Sequence, residues 1–197
     1  MAFKHAIALT GSISTGKSTT VKLLEAAGFH IIDADTIAHQ ILDEQYLAIA
    51  QIFGEGFVKE GKVDRKALGA VVFSDEEKRK KLEALLHPLI YDEIQRLSIE
   101  EDKLGKPYFV DIPLFFESRR YPIERSLVVY ATEEQQLKRL INREGYTSEE
   151  ALKRINAQMP VEEKRKLATY VIDNSGTLTQ LGQECERVKK EILNDSN

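Results

Sequence analysis

The sequence predicts an α/β protein in which helices cover both faces of a parallel sheet. Two observations predict this class. Short apolar runs alternate with amphipathic helical patterns, and the first run leads through a glycine-containing loop into a helix and then into a second run. Continuous apolar runs, rather than alternating ones, are typical of strands that are buried on both faces. We therefore expect one sheet of five parallel strands.

The expected strands lie at residues 5–10, 29–32, 108–112, 127–131 and 170–173. A helix is expected over 18–27, with Gly28 as its C-terminal stop. Thr132 with Gln135 has the spacing of a capping box and begins a helix to about residue 143. Thr147 with Glu150 has the same spacing and begins another, which ends before residue 160.

The stretch between about residues 36 and 100 has a helical pattern that glycines at 54, 56 and 61 interrupt. Ser74 and Glu77 have capping-box spacing, and residues 90, 94 and 97 form one apolar stripe after Pro88. The last helix carries an apolar stripe at spacings of three and four, which predicts a face turned to the core. That stripe consists of Leu178, Leu181, Cys185, Val188 and Ile192.

Composition limits the classes of function. The chain has 197 residues and a formal net charge of −4, which does not favour a nucleic-acid surface. One cysteine excludes an internal disulfide framework and fits a reducing compartment. No apolar run approaches the roughly eighteen residues of a membrane span, and the first residues do not resemble a signal peptide. We expect a cytoplasmic protein of one domain, or a core with a small inserted subdomain.

Residues 11–18 read GSISTGKS and match the phosphate-binding pattern G-x-x-x-x-G-K-[ST]. Gly11 lets the chain leave the strand sharply, and Gly16 lets backbone amides approach phosphate oxygens. Lys17 would bridge the β- and γ-phosphates of ATP, and the Ser18 hydroxyl would coordinate Mg²⁺. A chance match is the alternative, but its place between a strand and a helix speaks against that. The candidate nucleotide-binding residues are Gly11, Ser14, Thr15, Gly16, Lys17, Ser18 and Thr19.

Three acidic side chains lie at the end of an expected strand or just beyond it. Asp33 and Asp35 come just after the second strand, where ligands bind in open α/β sheets. Asp33 is the candidate general base for an attacking hydroxyl, whereas helix capping is favoured for Asp35. Asp111 ends the third strand and either lies near the metal or only fixes the turn at Pro113. Glu117 is expected to be solvent-exposed.

Arg139 and Arg143 lie four residues apart and share a helix face. Cations that close on a transferring phosphoryl group would assist its transfer and exclude water. The alternative is a solvated face paired with neighbouring glutamates, which is the usual state of surface arginines. His87, before Pro88, is more often a partly buried histidine with a hydrogen-bond partner than a catalyst.

These segments together resemble the dephospho-coenzyme A kinase family over nearly the whole chain. The generic part is the phosphate loop, and the specific parts are the strand with DIPL (111–114) followed, in this order, by the segment from Arg139 to Gln158. In chain order the shared motifs are ALTG (8–11), DAD (33–35), AH (38–39), FG (53–54), DR (64–65), Leu68, VF (72–73), HP (87–88), VDIPLFFE (110–117), QL (136–137), RL (139–140), Arg143, Arg154, Gln158 and DNSG (173–176).

The resemblance implies a P-loop NTP hydrolase fold that divides into a nucleotide-binding core at 1–35, 101–131 and 165–197, a helical substrate-binding region at 36–100 and a mobile lid at 132–160. It implies transfer of phosphate from ATP, with Mg²⁺, to the 3′-hydroxyl of the ribose in dephospho-coenzyme A. No nucleic acid, membrane or obligate protein partner is expected. The implied catalytic residues are Asp33, Lys17 and Arg143, the metal-binding residues Ser18 and Asp111, and the substrate-binding residues Asp35, Arg65, His87 and Arg139.

The chain departs from the family pattern at a few positions. Ser12, Ser14 and Thr15 stand where the family loop is usually richer in glycine, Phe115 replaces a more usual leucine, and Tyr91 stands where arginine is frequent.

Two other functions remain as alternatives. One is another nucleoside or nucleotide kinase with the same core, and the other is a nucleotide-gated switch that hydrolyses ATP slowly without an acceptor.

Overall fold

A computed structural model describes residues 2–196 of the chain. The strands are β1 (Ala6–Gly11), β2 (Ile31–Asp33), β3 (Val58–Lys59), β4 (Lys62–Val63), β5 (Tyr108–Asp111), β6 (Arg125–Tyr130) and β7 (Tyr170–Asp173). The helices are α1 (Lys17–Ala26), α2 (Ala34–Glu44), α3 (Tyr46–Phe53), α4 (Arg65–Ser74), α5 (Glu76–Lys103), α6 (Phe115–Ser118), α7 (Glu133–Glu144), α8 (Ser148–Asn156), α9 (Val161–Leu167) and α10 (Leu178–Asn194). A short 3₁₀ helix spans Glu55–Phe57.

The main sheet has five strands in the order β2-β5-β1-β6-β7, and the predicted fold class is confirmed. β1 lies at its centre and pairs in parallel with β5 and β6. Leu9 stands opposite Asp111 on one side and Leu127 on the other. The carboxyl ends of β1 and β5 therefore reach the same edge of the sheet, where parallel α/β sheets bind ligands.

The core of this sheet is apolar on the faces that α1 and α10 cover. Leu24 of α1 and four residues of the α10 stripe belong to one buried cluster with Ile7, Leu9, Phe109, Leu127 and Ile172. The predicted stripe is correct except at its first position. Leu178 is 68% exposed and is the first residue of α10, directly after the Thr177 cap.

The chain divides into two compact units, residues 33–97 and the remainder of the described chain. The smaller unit contains α2, α3, α4 and most of α5, and its buried residues include Ile41, Ile49 and Leu68. It also contains an antiparallel hairpin, in which β3 and β4 pair Val58 with Val63. The sequence did not predict this hairpin, since strands of two residues are too short to show a period.

The predicted helix cap at Ser74 is wrong. Ser74 is the last residue of α4, and its hydroxyl donates to the Ala70 and Val71 carbonyls; Asp75 instead accepts the Lys78 N–H at the start of α5. α5 is a helix of 28 residues that contains Pro88, which removes one backbone donor from it. Within residues 2–196, no helix combines the length and apolar character that a membrane crossing needs.

Cys185 is 4% exposed, and burial raises the pKa of its thiol to about 11. At a lower pH the group therefore stays a thiol, whereas thiolate is the form that reacts with disulfide reagents. We expect negligible reaction of the folded protein with Ellman's reagent at pH 8 and rapid reaction of one thiol in denaturant. Rapid reaction of the native protein would contradict this placement of α10.

Candidate active site

The phosphate loop connects β1 to α1, as the motif requires. It leaves the sheet at Gly11, where a side chain has no room: a Cβ there would lie 2.8 Å from Thr15 Oγ1 and 3.0 Å from the Val129 carbonyl oxygen. The Thr15 hydroxyl closes the loop by donating to the Ser12 carbonyl at 2.9 Å. These contacts hold the backbone in a tight turn in front of α1.

Gly16 is the residue before α1 and has φ 95°, a conformation that glycine adopts without strain. A Cβ at this position would lie 2.0 Å from Asn174 Nδ2. Asn174 follows β7 and donates from its side chain to the Thr15 carbonyl at 2.7 Å. The glycine therefore serves both the left-handed turn and the close approach of a neighbouring side chain.

The start of α1 has the features of an anion site. No side chain caps it, its first turn carries no acidic residue, and the helix dipole adds positive potential there. A cavity of about 240 Å³ opens at this point and is lined by every residue predicted to bind the nucleotide. The rest of its lining consists of Ser12, Ile13, Pro113, Arg143 and Gln158. That these residues bind phosphate stays a prediction, but the structure brings them together around one space.

Lys17 and Asp111 form an ion pair beside this cavity. The Lys17 Nζ lies 2.6 Å from Asp111 Oδ1 and 2.5 Å from Oδ2, and Asp111 is buried. The carboxylate therefore faces the loop, which the sequence left open. The turn at Pro113 is held in another way, since the Thr10 hydroxyl donates to the Pro113 carbonyl at 2.9 Å.

Arg139, on α7, uses its guanidinium to brace the loop. Nη1 donates to the Ser14 and Thr15 carbonyls at 3.3 and 3.2 Å, and Nη2 donates to the Asn174 carbonyl at 2.8 Å. Its predicted contact with the acceptor stays a prediction. In the structure, Arg139 contacts the second half of the phosphate loop.

We expect Arg139→Met to raise KM for ATP about tenfold. Without the guanidinium, the Ser14, Thr15 and Asn174 carbonyls lose a charged donor, and the phosphate loop can move from its position. Steady-state kinetics with each substrate varied in turn would measure this, with Lys138→Met as the exposed control on the same helix. A change confined to the acceptor's KM would support the original substrate-binding assignment instead.

Arg143 lies one turn further along α7 and is 67% exposed. Its Nε lies 2.7 Å from Glu144 Oε1, so the surface ion pair weighed as the alternative is present. Arg143 nevertheless lines the loop cavity and a second cavity of about 440 Å³. The second cavity is lined also by Ser14, Gly16, Thr19, Arg139, Asn142 and Asn174.

Helices α7 and α8 share a small core of their own. Leu140, Ala151 and Ile155 are buried together, and Ile13 of the phosphate loop packs against them. Both predicted capping boxes are present, at Thr132 and Thr147. The segment assigned as a lid is thus a helix pair that contacts the loop, while its mobility stays a prediction.

Four residues with contacts to the loop or to one another received no role from the sequence. Gln158 Oε1 accepts the Ile13 N–H at 2.8 Å, and Asn174 braces Thr15 as described. Glu117 is exposed as expected, yet its carboxylate forms an ion pair with the fully buried Lys164. Gln158 and Asn174 lie in family motifs and could have been found there; Lys164 lies in the run VEEKRKL, which is typical of a solvated helix.

The predicted acids of the smaller unit lie at the start of α2. Asp33 is the N-cap, and its Oδ1 accepts the Thr36 N–H at 3.0 Å. The expectation that Asp35 caps the helix is wrong, because Asp35 already lies in the first turn and Asp33 holds the cap position. Both side chains are exposed. Their roles as base and substrate ligand stay predictions.

Arg65 begins α4 and pairs with Asp43 of α2, and this hydrogen bond lowers the pKa of the Asp43 carboxyl. The guanidinium is therefore held in one direction while remaining 45% exposed. His87 lies within α5 and is half-buried. Nothing in these contacts assigns either residue to the acceptor, and both assignments stay predictions.

Comparisons with known proteins identify what the chain is similar to. A family model described as dephospho-CoA kinase matches residues 5–180. The dephospho-CoA kinase of Sulfurimonas denitrificans is 52% identical over 192 residues, which cover 98% of this chain and 96% of that protein. The dephospho-CoA kinase of Helicobacter pylori strain 26695 is 45% identical over 196 residues, with 98% and 100% covered.

Solved structures agree in fold. The dephospho-CoA kinase from Campylobacter jejuni has a TM-score of 0.77 and 41% identity, and the match covers 95% of this chain and 96% of that one. The protein TT1252 from Thermus thermophilus has a TM-score of 0.77 and 40% identity, with 94% and 96% covered. Shikimate kinase from Acinetobacter baumannii, at a TM-score of 0.53 and 16% identity, covering 96% of this chain and 93% of that one, shares the fold alone.

Proposed function

Since the chain belongs to the dephospho-CoA kinase family, we propose that it transfers the γ-phosphoryl group of ATP to the 3′-hydroxyl of the ribose of dephospho-CoA. The family membership makes it a kinase, a phosphotransferase with an alcohol as acceptor, and confirms the resemblance drawn from the sequence. The products would be coenzyme A and ADP, with ATP as the phosphoryl donor.

The observation that carries this proposal is the pairing of Lys17 with Asp111 across neighbouring strand ends. The loop between β1 and α1 presents one ammonium group, and β5 presents one carboxylate at 2.5–2.6 Å from it. Phosphoryl transfer needs positive charge on the β- and γ-phosphates and a carboxylate for the metal ion. Both are found beside a cavity that the loop itself lines.

The charges of this site fit the transfer step. The loop amides and the dipole of α1 would bind the phosphates of ATP, and Lys17 would exchange its contact with Asp111 for phosphate oxygens. Arg143 lies at the rim of the same cavity on an exposed helix face. If the α7–α8 pair closes over the cavity, the Arg143 guanidinium would neutralise negative charge on the transferring phosphoryl group and help to exclude water.

Asp33 is proposed to accept the proton of the attacking hydroxyl. An alcohol is a weak nucleophile, and a carboxylate within hydrogen-bond reach removes its proton as the bond to phosphorus forms. The cap bond to Thr36 uses Oδ1 and fixes the orientation of the carboxylate. The group is exposed, so an acceptor hydroxyl can approach it.

The residues also fit a magnesium ion, which we include in the proposal. Asp111 and the Ser18 hydroxyl are hard oxygen donors of the kind that Mg²⁺ prefers. Within residues 2–196 no three acidic, histidine or cysteine side chains cluster as a metal site, which suits an ion held by one carboxylate, a hydroxyl, substrate phosphates and water. A bound Mg²⁺ would supply positive charge against the β- and γ-phosphate oxygens.

A coupled assay of ADP release tests the proposal. The purified protein would receive ATP and Mg²⁺ with dephospho-CoA, AMP, CMP or shikimate in separate reactions. We expect turnover with dephospho-CoA and little with the others. Equal turnover of AMP would contradict the acceptor assignment, and slow ADP release that no acceptor accelerates would indicate a nucleotide-gated switch.

A further inference from the structure

Lys164 lies behind the phosphate loop with 0% of its side chain exposed. Its Nζ donates to the Gly11 carbonyl at 3.3 Å and lies 2.8 Å from Glu117 Oε1. An ammonium group is strongly hydrated, so burying it is unfavourable unless protein acceptors replace the water. An aliphatic side chain would fill the same space without that cost, and stability alone therefore does not account for a lysine here.

The helix that carries Lys164 is anchored on both sides of it. The Tyr130 hydroxyl of β6 donates to the Glu162 carboxylate, and the Arg165 guanidinium lies 4.5 Å from the centroid of the same ring. These two contacts fix α9 against the sheet. The position of the ammonium group between them is consequently set by the fold and does not depend on a flexible surface side chain.

The hydrogen bond to the Gly11 carbonyl connects the Lys164 ammonium directly to the loop. The Gly11 carbonyl belongs to the same planar peptide unit as the Ser12 N–H, so orienting one orients the other. Thr15 and Val129 also confine this residue, since they leave no room for a Cβ at Gly11. Lys164 therefore helps to determine the direction in which the chain leaves β1.

Glu117 connects Lys164 to the loop a second time, indirectly. Its Oε1 also accepts the Met159 N–H at 3.1 Å, and the Met159 carbonyl accepts the Ser12 hydroxyl at 3.4 Å. The neighbouring Gln158 accepts the Ile13 N–H. The three consecutive loop residues from Gly11 to Ile13 are thus bonded to Lys164 or to the short segment that Glu117 secures.

We propose that Lys164 is a positioning residue for phosphoryl transfer, which sets the first half of the phosphate loop through Gly11 and Glu117. Arg139 and Asn174 brace the second half through the Thr15 carbonyl. Displacing the amides that meet the phosphates by a fraction of an ångström lowers turnover without unfolding the protein. The inference rests on the proposed function for its catalytic readout and on ATP binding alone for its structural readout.

The test replaces Lys164 with methionine, which has a similar length and no charge. We expect Lys164→Met to lower kcat with dephospho-CoA by at least about tenfold and to weaken calorimetric binding of a magnesium complex of a non-hydrolysable ATP analogue. The Kd of dephospho-CoA should be unchanged within error. Lys166→Met, on the exposed side of the same helix, is the matched control and should behave as the wild type.

A second variant covers the case in which Lys164→Met does not fold. Glu117→Gln keeps the length of the side chain and an oxygen acceptor for Met159 and Lys164, and removes only the negative charge that faces Lys164. It should weaken analogue binding in the same direction by less, and the double variant should be no worse than Lys164→Met alone. If both single variants kept the wild-type kcat and the wild-type affinity for the analogue, the proposal would be overturned. It would also be overturned if binding of the analogue and binding of dephospho-CoA weakened equally. If the wild type does not phosphorylate dephospho-CoA, the proposed function fails. The analogue titrations then still test whether Lys164 positions the phosphate loop.

Discussion

Replacing Lys17 with alanine is expected to lower kcat by about 10²–10³-fold, the usual cost of removing one charge-stabilising donor from a transition state. The ammonium lies at the first residue of α1, inside the loop cavity. As the bond to ADP breaks, negative charge develops on the leaving β-phosphate oxygen and is spread over the oxygens of the transferring group, and in a site sheltered from water a single ammonium interacts with this charge strongly. Single-turnover kinetics with the enzyme in excess over dephospho-CoA and with saturating ATP would measure the chemical step without the contribution of product release.

The control for this variant is Lys22→Ala, which removes an exposed lysine from the same helix and should leave kcat unchanged. The variant also deprives the buried Asp111 of its Lys17 contact, so thermal unfolding of both proteins must be compared. A folded Lys17→Ala protein with near-native turnover would refute the assignment of the loop.

Asp33→Asn is expected to lower kcat by about 10²–10⁴-fold, because an amide cannot accept the proton of the acceptor hydroxyl. Asparagine caps helices about as well as aspartate, so the bond to the Thr36 N–H and the start of α2 should persist. The substitution therefore separates catalysis from capping. Steady-state kinetics should show the loss in kcat, with little change in the KM for ATP.

Asp75→Asn is the matched control, since Asp75 also accepts a backbone N–H at the start of a helix of the smaller unit. It should leave both kinetic parameters unchanged. If Asp33→Asn raised only a KM, Asp33 would be a binding or capping residue, and the general base would have to be sought elsewhere.

The parts of the fold that could be predicted are those with a strong local signal. β7 has the predicted bounds, and α7, α8 and α10 begin at capping boxes, of which those of α7 and α8 were predicted from threonine three residues before glutamine or glutamate. The phosphate loop was predicted because its motif demands a strand before it and a helix after it. Local capping and periodicity decide these elements, so tertiary contacts did not alter them.

The parts that could not be predicted depend on contacts between distant residues. Lys164 and Gly11 are separated by 153 positions, and no local pattern shows that a lysine in a charged helix is buried. The family resemblance implied that Arg139 binds substrate, whereas its hydrogen bonds to the Ser14 and Asn174 carbonyls join residues 125 and 35 positions apart and have no local signal. The exchange of Asp35 for Asp33 as the helix cap is an error of two residues, within the usual uncertainty of a helix start.

The chemical identity of the product tests the central claim most directly. After incubation of the wild-type protein with ATP, Mg²⁺ and dephospho-CoA, phosphorus NMR of the purified nucleotide should show a new phosphomonoester whose phosphorus couples to the ribose H3′ proton. ADP should accumulate in equal amount. Inorganic phosphate in place of this ester, or phosphate attached at another position, would contradict the account.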